Sequence, residues 1–435
     1  MSRLVRSVTI LVLAAMTAAA CSGGGGGEAA PEEPTEVPTP TLSNELPPTP
    51  TPEPIPDNAI RVGVLLDTGG QDADGIDAGN LMSVLDRAPS VAFEAQIEAI
   101  NEAGGVLGRP VAVLRTDTTS RLSVIDEAAR EMIDAGAELL VVTCEFDFAV
   151  PAIRQAEEAG VLVMSPCASE EGWTTGDAGE LAFSMVPPVA TFGEAMAEHM
   201  WADGYRNVAV ISDRSAPEAR IECDSMTARW RELGGTIQYN QAFSLRAADR
   251  LDENQEIRTA AVADAIAFCA FAIIGEKLLG GDDGGSGIRS MGIDAPIVAG
   301  PSFDTGTWLP LDFVGLGDFE LLALSSVHGD DPSPDVEPSI AGFVALDGAR
   351  PASGRFVLGS DLADVWAGAV EMAGTTDGAA VARQIRQMDG YDTVSGLVTF
   401  GGLQAPDTRQ LRVLRHQNGT LRFEKLLEAD QAIAE

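Results

Sequence analysis

Between residues 60 and 164 the hydrophobic period of the chain switches back and forth between that of a strand and that of a helix, and this limits the folds open to it. Residues 60–66 read as a buried strand, with Asp67, Thr68, Gly69 and Gly70 as its turn. Val91, Ala95 and Ala99 then recur at a spacing of four before Gly104 and Gly105, so residues 91–103 are predicted to form an amphipathic helix with a glycine C-cap. Strand 111–114, helix 122–135, strand 139–142, helix 149–159 and strand 161–164 follow. Such β-α-β order implies a parallel sheet covered by helices on both faces.

A second series begins near residue 208. Strands are expected at 208–211, 236–239, 265–268 and 296–299, and helices at 217–233 and 271–279. A helix at 361–374 and a strand at 397–400 return late in the chain. The fold class predicted is therefore α/β with two doubly wound parallel sheets, and no short-period repeat is present.

The amino terminus reads as an export signal. Arg3 and Arg6 precede an apolar run at 8–16 and small residues at 17–20, with Cys21 directly after them. The run is too short for a transmembrane helix. A cysteine at this point resembles the site at which bacterial lipoproteins are cleaved and acylated, and Cys21 is the expected lipid anchor. Ala18 stands where leucine is usual, which leaves an ordinary signal peptide as the alternative. Residues 22–57 continue in Gly, Pro, Thr and Glu without a basic residue, a composition that cannot form a core and reads as a linker. No later stretch is long and apolar enough to span a bilayer, so an exported domain on a tether is expected.

A formal net charge of -38 makes nucleic acid an unsuitable partner, because phosphates need cationic surfaces. Export also places the four remaining cysteines in an oxidising compartment. Cys144 and Cys167 follow strands 139–142 and 161–164; if those strands are neighbours, both cysteines lie at carboxyl ends within bridging reach. Cys223 and Cys269 either pair or stay as buried thiols. With three histidines and no C-x-x-C, no metal site is expected.

Longer motifs carry a family resemblance. Ala99-Ile-Asn-Glu-Ala-Gly-Gly-Val-Leu-Gly-Arg-Pro110, set between a strand and a strand ending at Asp117, resembles the helix-turn-strand signature of type I periplasmic binding proteins of the leucine/isoleucine/valine group. Ala156-Glu-Glu-Ala-Gly-Val-Leu-Val-Met-Ser-Pro166, the helix from Asp361 and Ser395-Gly-Leu-Val-Thr-Phe400 resemble the same group in the same order, over 58–423. The resemblance implies two lobes, 58–186 plus 328–399 and 187–327 plus 400–435, joined by crossings near 184–188, 325–329 and 398–402. It implies a small-molecule ligand between the lobes and, as partners, the membrane permease and ATPase of an ABC importer. No cofactor is implied.

The loops after the strands supply the candidate contacts. By resemblance, Ser165-Pro-Cys-Ala-Ser169 gives backbone and hydroxyl contacts through Ala168 and Ser169, and Thr68 and Gly69 line the first turn. Phe271 stands where relatives place a tyrosine, and Ser302 or Asp304 where they place an acid. Cys144-Glu-Phe-Asp-Phe148 departs from the small residues usual in relatives. The loops thus collect Phe146, Asp147, Phe148, Glu170, Trp173, Phe271, Phe303 and Asp304, a set suited to a ligand with an apolar or cationic part. Asp147 is expected as a buried carboxylate facing the cleft, beside an amine or amide of the ligand. The plainer reading packs Phe146, Phe148 and Phe303 beneath the loops and leaves Glu170 solvated. Acidic loops at 72–77 and 280–287 read as rim and surface turns rather than calcium sites.

Enzyme chemistry finds little footing. No Gly-x-Ser-x-Gly elbow, Walker loop or dinucleotide fingerprint follows a strand, and among His199, His328 and His416 only His328 is placed near the cleft. A ligand sensor coupled to a signalling partner would use the same fold and stands as the alternative to transport.

Overall fold

The computed structural model describes residues 55–69, 81–173, 178–244, 255–271, 275, 278–279, 287–305 and 316–430. The signal segment with Cys21, nearly all of the linker, the 72–77 loop, most of the helix expected at 271–279 and the 280–286 turn lie outside the described residues.

The strands are β1 (Ile60–Leu66), β2 (Val111–Asp117), β3 (Ala137–Val142), β4 (Leu162–Ser165), β5 (Ala182–Ser184), β6 (Asn207–Asp213), β7 (Thr236–Phe243), β8 (Ala265–Cys269), β9 (Ile297–Ala299), β10 (Phe319–Ala323), β11 (Tyr391–Thr393), β12 (Gly396–Val398), β13 (Thr408–Gln417) and β14 (Thr420–Asp430). The helices are α1 (Leu81–Glu102), α2 (Leu122–Asp134), α3 (Phe146–Ala159), α4 (Val189–Ala202), α5 (Pro217–Glu232), α6 (Val336–Asp347), α7 (Val357–Ala373) and α8 (Gly378–Arg386).

Five strands make one parallel sheet in the order β2-β1-β3-β4-β5. Its side chains alternate with the period of two that a strand imposes. Val62, Val64, Leu139 and Val141 join a core with Phe93 of α1, Phe343 of α6 and Trp366 of α7. Leu65, Leu140 and Val142 face the other way, onto Ile125 and Ala129 of α2 and Ala152 and Ile153 of α3. Burial on both faces explains why these strands read as unbroken apolar runs.

The second sheet has the order β14-β13-β10-β9-β8-β6-β7. Strands β6 to β10 are parallel, whereas β13 and β14 form an antiparallel hairpin added to the edge of β10. The late strand expected at 397–400 corresponds to β12, which pairs with β11 in a separate two-stranded ribbon.

Three helix starts differ from expectation, α7 beginning at Val357 rather than 361. Helix α1 begins at Leu81 rather than 91 and carries Pro89 inside it. Pro89 removes one helical hydrogen bond, but packing against α7 holds the segment helical. A methyl group at Gly359 of α7 would collide with the carbonyl of Pro89, so only glycine permits that approach. In the same way Gly193 of α4 abuts the carbonyl of Glu222 in α5. Helix α3 begins at Phe146 rather than 149, which turns most of the expected 144–148 loop into the first helical turn.

The segments that leave one sheet for the other are knitted together by polar bonds. Ser184 N donates to Gln404 O at 2.9 Å, and Gln404 Nε2 donates to Ala182 O at 2.9 Å. Asp361 of α7 accepts from Ser395 N at 3.0 Å and pairs with Arg409 of β13. Asp331 accepts from Arg412 Nε and Nη2, each at 3.0 Å, and from Ser326 N at 2.6 Å. Arg409 and Arg412 are each 1% exposed, so these are buried, charge-assisted pairs.

Candidate functional site: the cleft between the two sheets

Asp86, on α1, is the hub of the first wall. Its carboxylate accepts from Asp67 N at 3.0 Å and from Cys144 N at 3.1 Å, tying the ends of β1 and β3 together. Burial pushes its pKa up to about 7 against the lowering effect of those amides. Thr68 Oγ1 donates to Asp117 Oδ2 at 3.0 Å, and Gly69, at φ +80°, donates its amide to Asp67 Oδ1 at 3.0 Å. Cys144 and Cys167 form a disulfide with Cα atoms 4.8 Å apart across neighbouring β3 and β4.

The Ser165 to Ser169 loop is fixed by its own hydrogen bonds. Ser165 Oγ donates to Thr143 O at 3.0 Å and accepts from Ala168 N at 3.2 Å. Ser184 Oγ donates to Ala168 O at 2.5 Å, and Val189 N donates to Ser169 O at 3.1 Å. The carbonyls of Ala168 and Ser169 are therefore used within the protein, and the Ser169 side chain is nearly buried.

The aromatic residues divide. Trp173 is fully buried in the core behind α3, edge-on to Phe146 with centroids 6.0 Å apart. Phe303 is fully buried against Phe268 in the second lobe's core. Phe271 is also buried. Trp173 and Phe303 thus serve as core side chains rather than stacking surfaces.

Asp147 is exposed, contrary to the expectation of a buried carboxylate. Because α3 begins at Phe146, Asp147 falls in its first turn, where a carboxylate suits the helix dipole. The shielded acids on this wall are its neighbours in sequence and space, Glu145 and Glu170. Phe146 N donates to Glu170 Oε1 at 2.7 Å, while Glu170 Oε2 is buried without a hydrogen-bond partner. Burial, then the charges of Glu170 and Glu218, raise the Glu145 pKa to about 8.

Across the cleft, α5 presents Glu218 in its first turn and Glu222 one turn later. Ser302 donates both its amide, at 3.3 Å, and its hydroxyl to Glu222, whose pKa burial raises to about 8. A disulfide between Cys223 and Cys269, Cα atoms 5.7 Å apart, ties α5 to the end of β8. Arg355 enters from the turn that opens α7. Its Nη2 donates to Glu218 Oε1 at 2.8 Å and to Pro301 O at 3.2 Å. Asp304 accepts from Gly354 N at 3.3 Å, and burial lifts its pKa to about 6 despite the nearby Arg355. Glu145, Glu218, Glu222 and Arg355 were not among the residues expected from sequence; no local pattern marks them, since they meet only through the packing of α3, α5 and α7.

Two other places lie apart from this wall. His199, Asp203 and Glu320 hold donor atoms within 4.8 Å of one another, the one such group among the described residues. Arg415 already pairs with Glu320, and Lys425 Nζ lies 2.7 Å from Asp203, so these carboxylates have their cations. A cavity of about 330 Å³ lies between α1, α6, α7 and β11, on the helical flank rather than in the cleft.

Two α/β sheets whose carboxyl ends are brought together around Arg355 and Glu218 define a bilobal solute-binding class. The chain belongs to the periplasmic binding protein family, whose model matches residues 59–420. Among solved structures, a leucine-binding protein from Thermotoga maritima is 19% identical with a TM-score of 0.66, covering 85% of this chain and 99% of that one. A branched-chain amino acid ABC transporter ligand-binding protein from Burkholderia xenovorans has a TM-score of 0.69 at 16% identity, covering 86% and 97%. A solute-binding protein from Rhodopseudomonas palustris in complex with benzoate has a TM-score of 0.66 at 15% identity, covering 87% and 98%. No curated protein matches significantly. No described helix is long and apolar enough to cross a membrane.

Proposed function

We propose that this protein is an exported solute-binding lipoprotein, not an enzyme, that captures an amino-acid-like or amide-like small molecule between its lobes and delivers it to the permease and ATPase of an ABC importer. The lobes are residues 58–186 plus 328–399 and residues 187–327 plus 400–435, and Cys21 carries the anchor. The observation that carries this reading is the placement of Arg355: a buried guanidinium on the turn into α7 bonds Glu218 and Pro301 on the opposite wall, at the mouths of both sheets. Backbone amides and helix ends at the carboxyl edges of such sheets are where small ligands bind. Names of similar structures, which include complexes with leucine, isoleucine and benzoate, support the solute class.

A melting-temperature screen of the mature protein against amino acids, amides, polyamines and aromatic acids tests it. A ligand that binds only the folded form raises the melting temperature. No shift with any compound at millimolar concentration would sink the reading.

A further inference from the structure

We infer that Arg355 is a clasp supplied by the chain itself: with no solute bound it fastens the two walls of the cleft to each other, and a solute enters only when its bond to Glu218 is released. This rests on the cleft being the solute site, and it concerns the protein with nothing in that site.

The turn that holds Arg355 is anchored in the first wall. Phe356, the next residue, is fully buried and lies edge-on to Phe343 of α6 with ring centroids 5.8 Å apart. Gly359, one turn further on, abuts Pro89 of α1. Helices α1, α6 and α7 pack on the first sheet through Phe93, Phe343 and Trp366, so the backbone of Arg355 moves with that sheet.

Its polar contacts go to the second wall. Arg355 Nη2 donates to Glu218 Oε1 at 2.8 Å and to Pro301 O at 3.2 Å. Ser353 Oγ donates to Asp304 O at 2.8 Å, and Gly354 N donates to Asp304 Oδ1 at 3.3 Å. Glu218 stands in the first turn of α5, and Pro301 and Asp304 follow β9, so all three acceptors belong to the second sheet's carboxyl edge. Three consecutive residues thus send four bonds from one wall to the other. The seat is also shaped for them. A methyl group at Gly354 would collide with the carbonyl of Ser325 and crowd Asp304 Oδ2, so the turn sits in a notch that glycine alone fits.

Burial makes this contact one of two states. The Arg355 and Glu218 side chains are only 6% and 13% exposed. Together they satisfy each other out of water; parted, each is hydrated by the water that enters. A half-parted pair has neither the bond nor the water, so the contact is made or broken as a unit. No solute is needed to complete it, because both charges come from the chain. While the clasp is shut the site is closed to solute, and apparent affinity is reduced to the fraction of molecules that stand open.

The test uses the mature protein with no solute added. Small-angle X-ray scattering reads the separation of the lobes, and amide hydrogen exchange reads the mouth. Arg355→Met and, separately, Glu218→Ala should each give a larger radius of gyration than the parent protein. In both, exchange in peptides covering 301–304 and 353–356 should quicken about tenfold or more, the scale of one charge-assisted bond. Arg220→Gln, which breaks an exposed ion pair within α5, should change neither reading. If Arg355→Met fails to fold, Glu218→Ala decides the matter, since Arg355 there keeps its bond to Pro301 O. An unchanged radius of gyration in a folded variant would overturn the clasp even where exchange quickens, because local loosening leaves the lobes together; so would equal expansion in Arg220→Gln. The scattering involves no solute, so its failure leaves the melting-temperature screen, and the solute-binding reading with it, untouched.

Discussion

Arg355 Nη2 stands 2.8 Å from Glu218 Oε1, and the pair joins the turn into α7 to the first turn of α5. With side chains only 6% and 13% exposed, it is a buried pair in which either partner alone is an uncompensated charge. Arg355→Met should therefore cost about 3 to 5 kcal/mol in urea unfolding. Adding Glu218→Gln should recover most of that loss. A single-variant cost below about 1 kcal/mol would place the pair with solvent-screened ion pairs.

Stability should fall as pH rises. Asp86 at about 7, Glu145 and Glu222 at about 8 and Asp304 at about 6 all titrate above the usual carboxylate range. The folded state then holds protons that the unfolded state has released. This contribution is complete below about pH 4 and is lost as pH climbs through 6 to 8. Calorimetric melting of unliganded protein should show a lower Tm at pH 9 than at pH 5, with a shallower fall in Glu222→Gln. A Tm that rises over that interval would contradict the burial of these acids.

Both disulfides should be recoverable by peptide mapping without reduction. They close loops with sequence separations of 23 and 46 residues. Chain-entropy arguments put their stabilisation at about 3 and about 4 kcal/mol. Paired Cys→Ser variants measured in urea should show losses of that order; free thiols at all four positions in exported protein would contradict the pairing.

Gly359→Ala should destabilise by about 2 kcal/mol or more, because the new methyl would meet the Pro89 carbonyl on α1. Chemical denaturation measures it. A neutral result would mean that α1 and α7 separate at little cost.

Cys21→Ala should release the protein from the membrane fraction or block its processing. Unchanged membrane association on fractionation would exclude Cys21 as the anchor.

The sheets were legible because burial on both faces leaves apolar runs such as Leu139 to Val142, and the cysteines because each of one pair follows such a run. Helix α1 was read ten residues short because Pro89 carries a strong local stop signal that packing on Gly359 overrides. The site was less legible. Ser169, Ser302 and Asp304 fall on the expected loops, but a three-residue error at the start of α3 put Asp147 inside and left Glu145 unremarked. Arg355 lies 133 or more positions from Glu218 and Glu222, and nothing in either local sequence announces their meeting.

The bonds among the connecting segments have a mechanical consequence. Asp361, Asp331 and Gln404 fasten the three passages between the sheets to one another. Such a knot sits where the spine of a book would be, holding the two sheets at their common edge. Any turn of one wall against the other would have to be taken up in these three passages together, since the buried pairs tie them to one another.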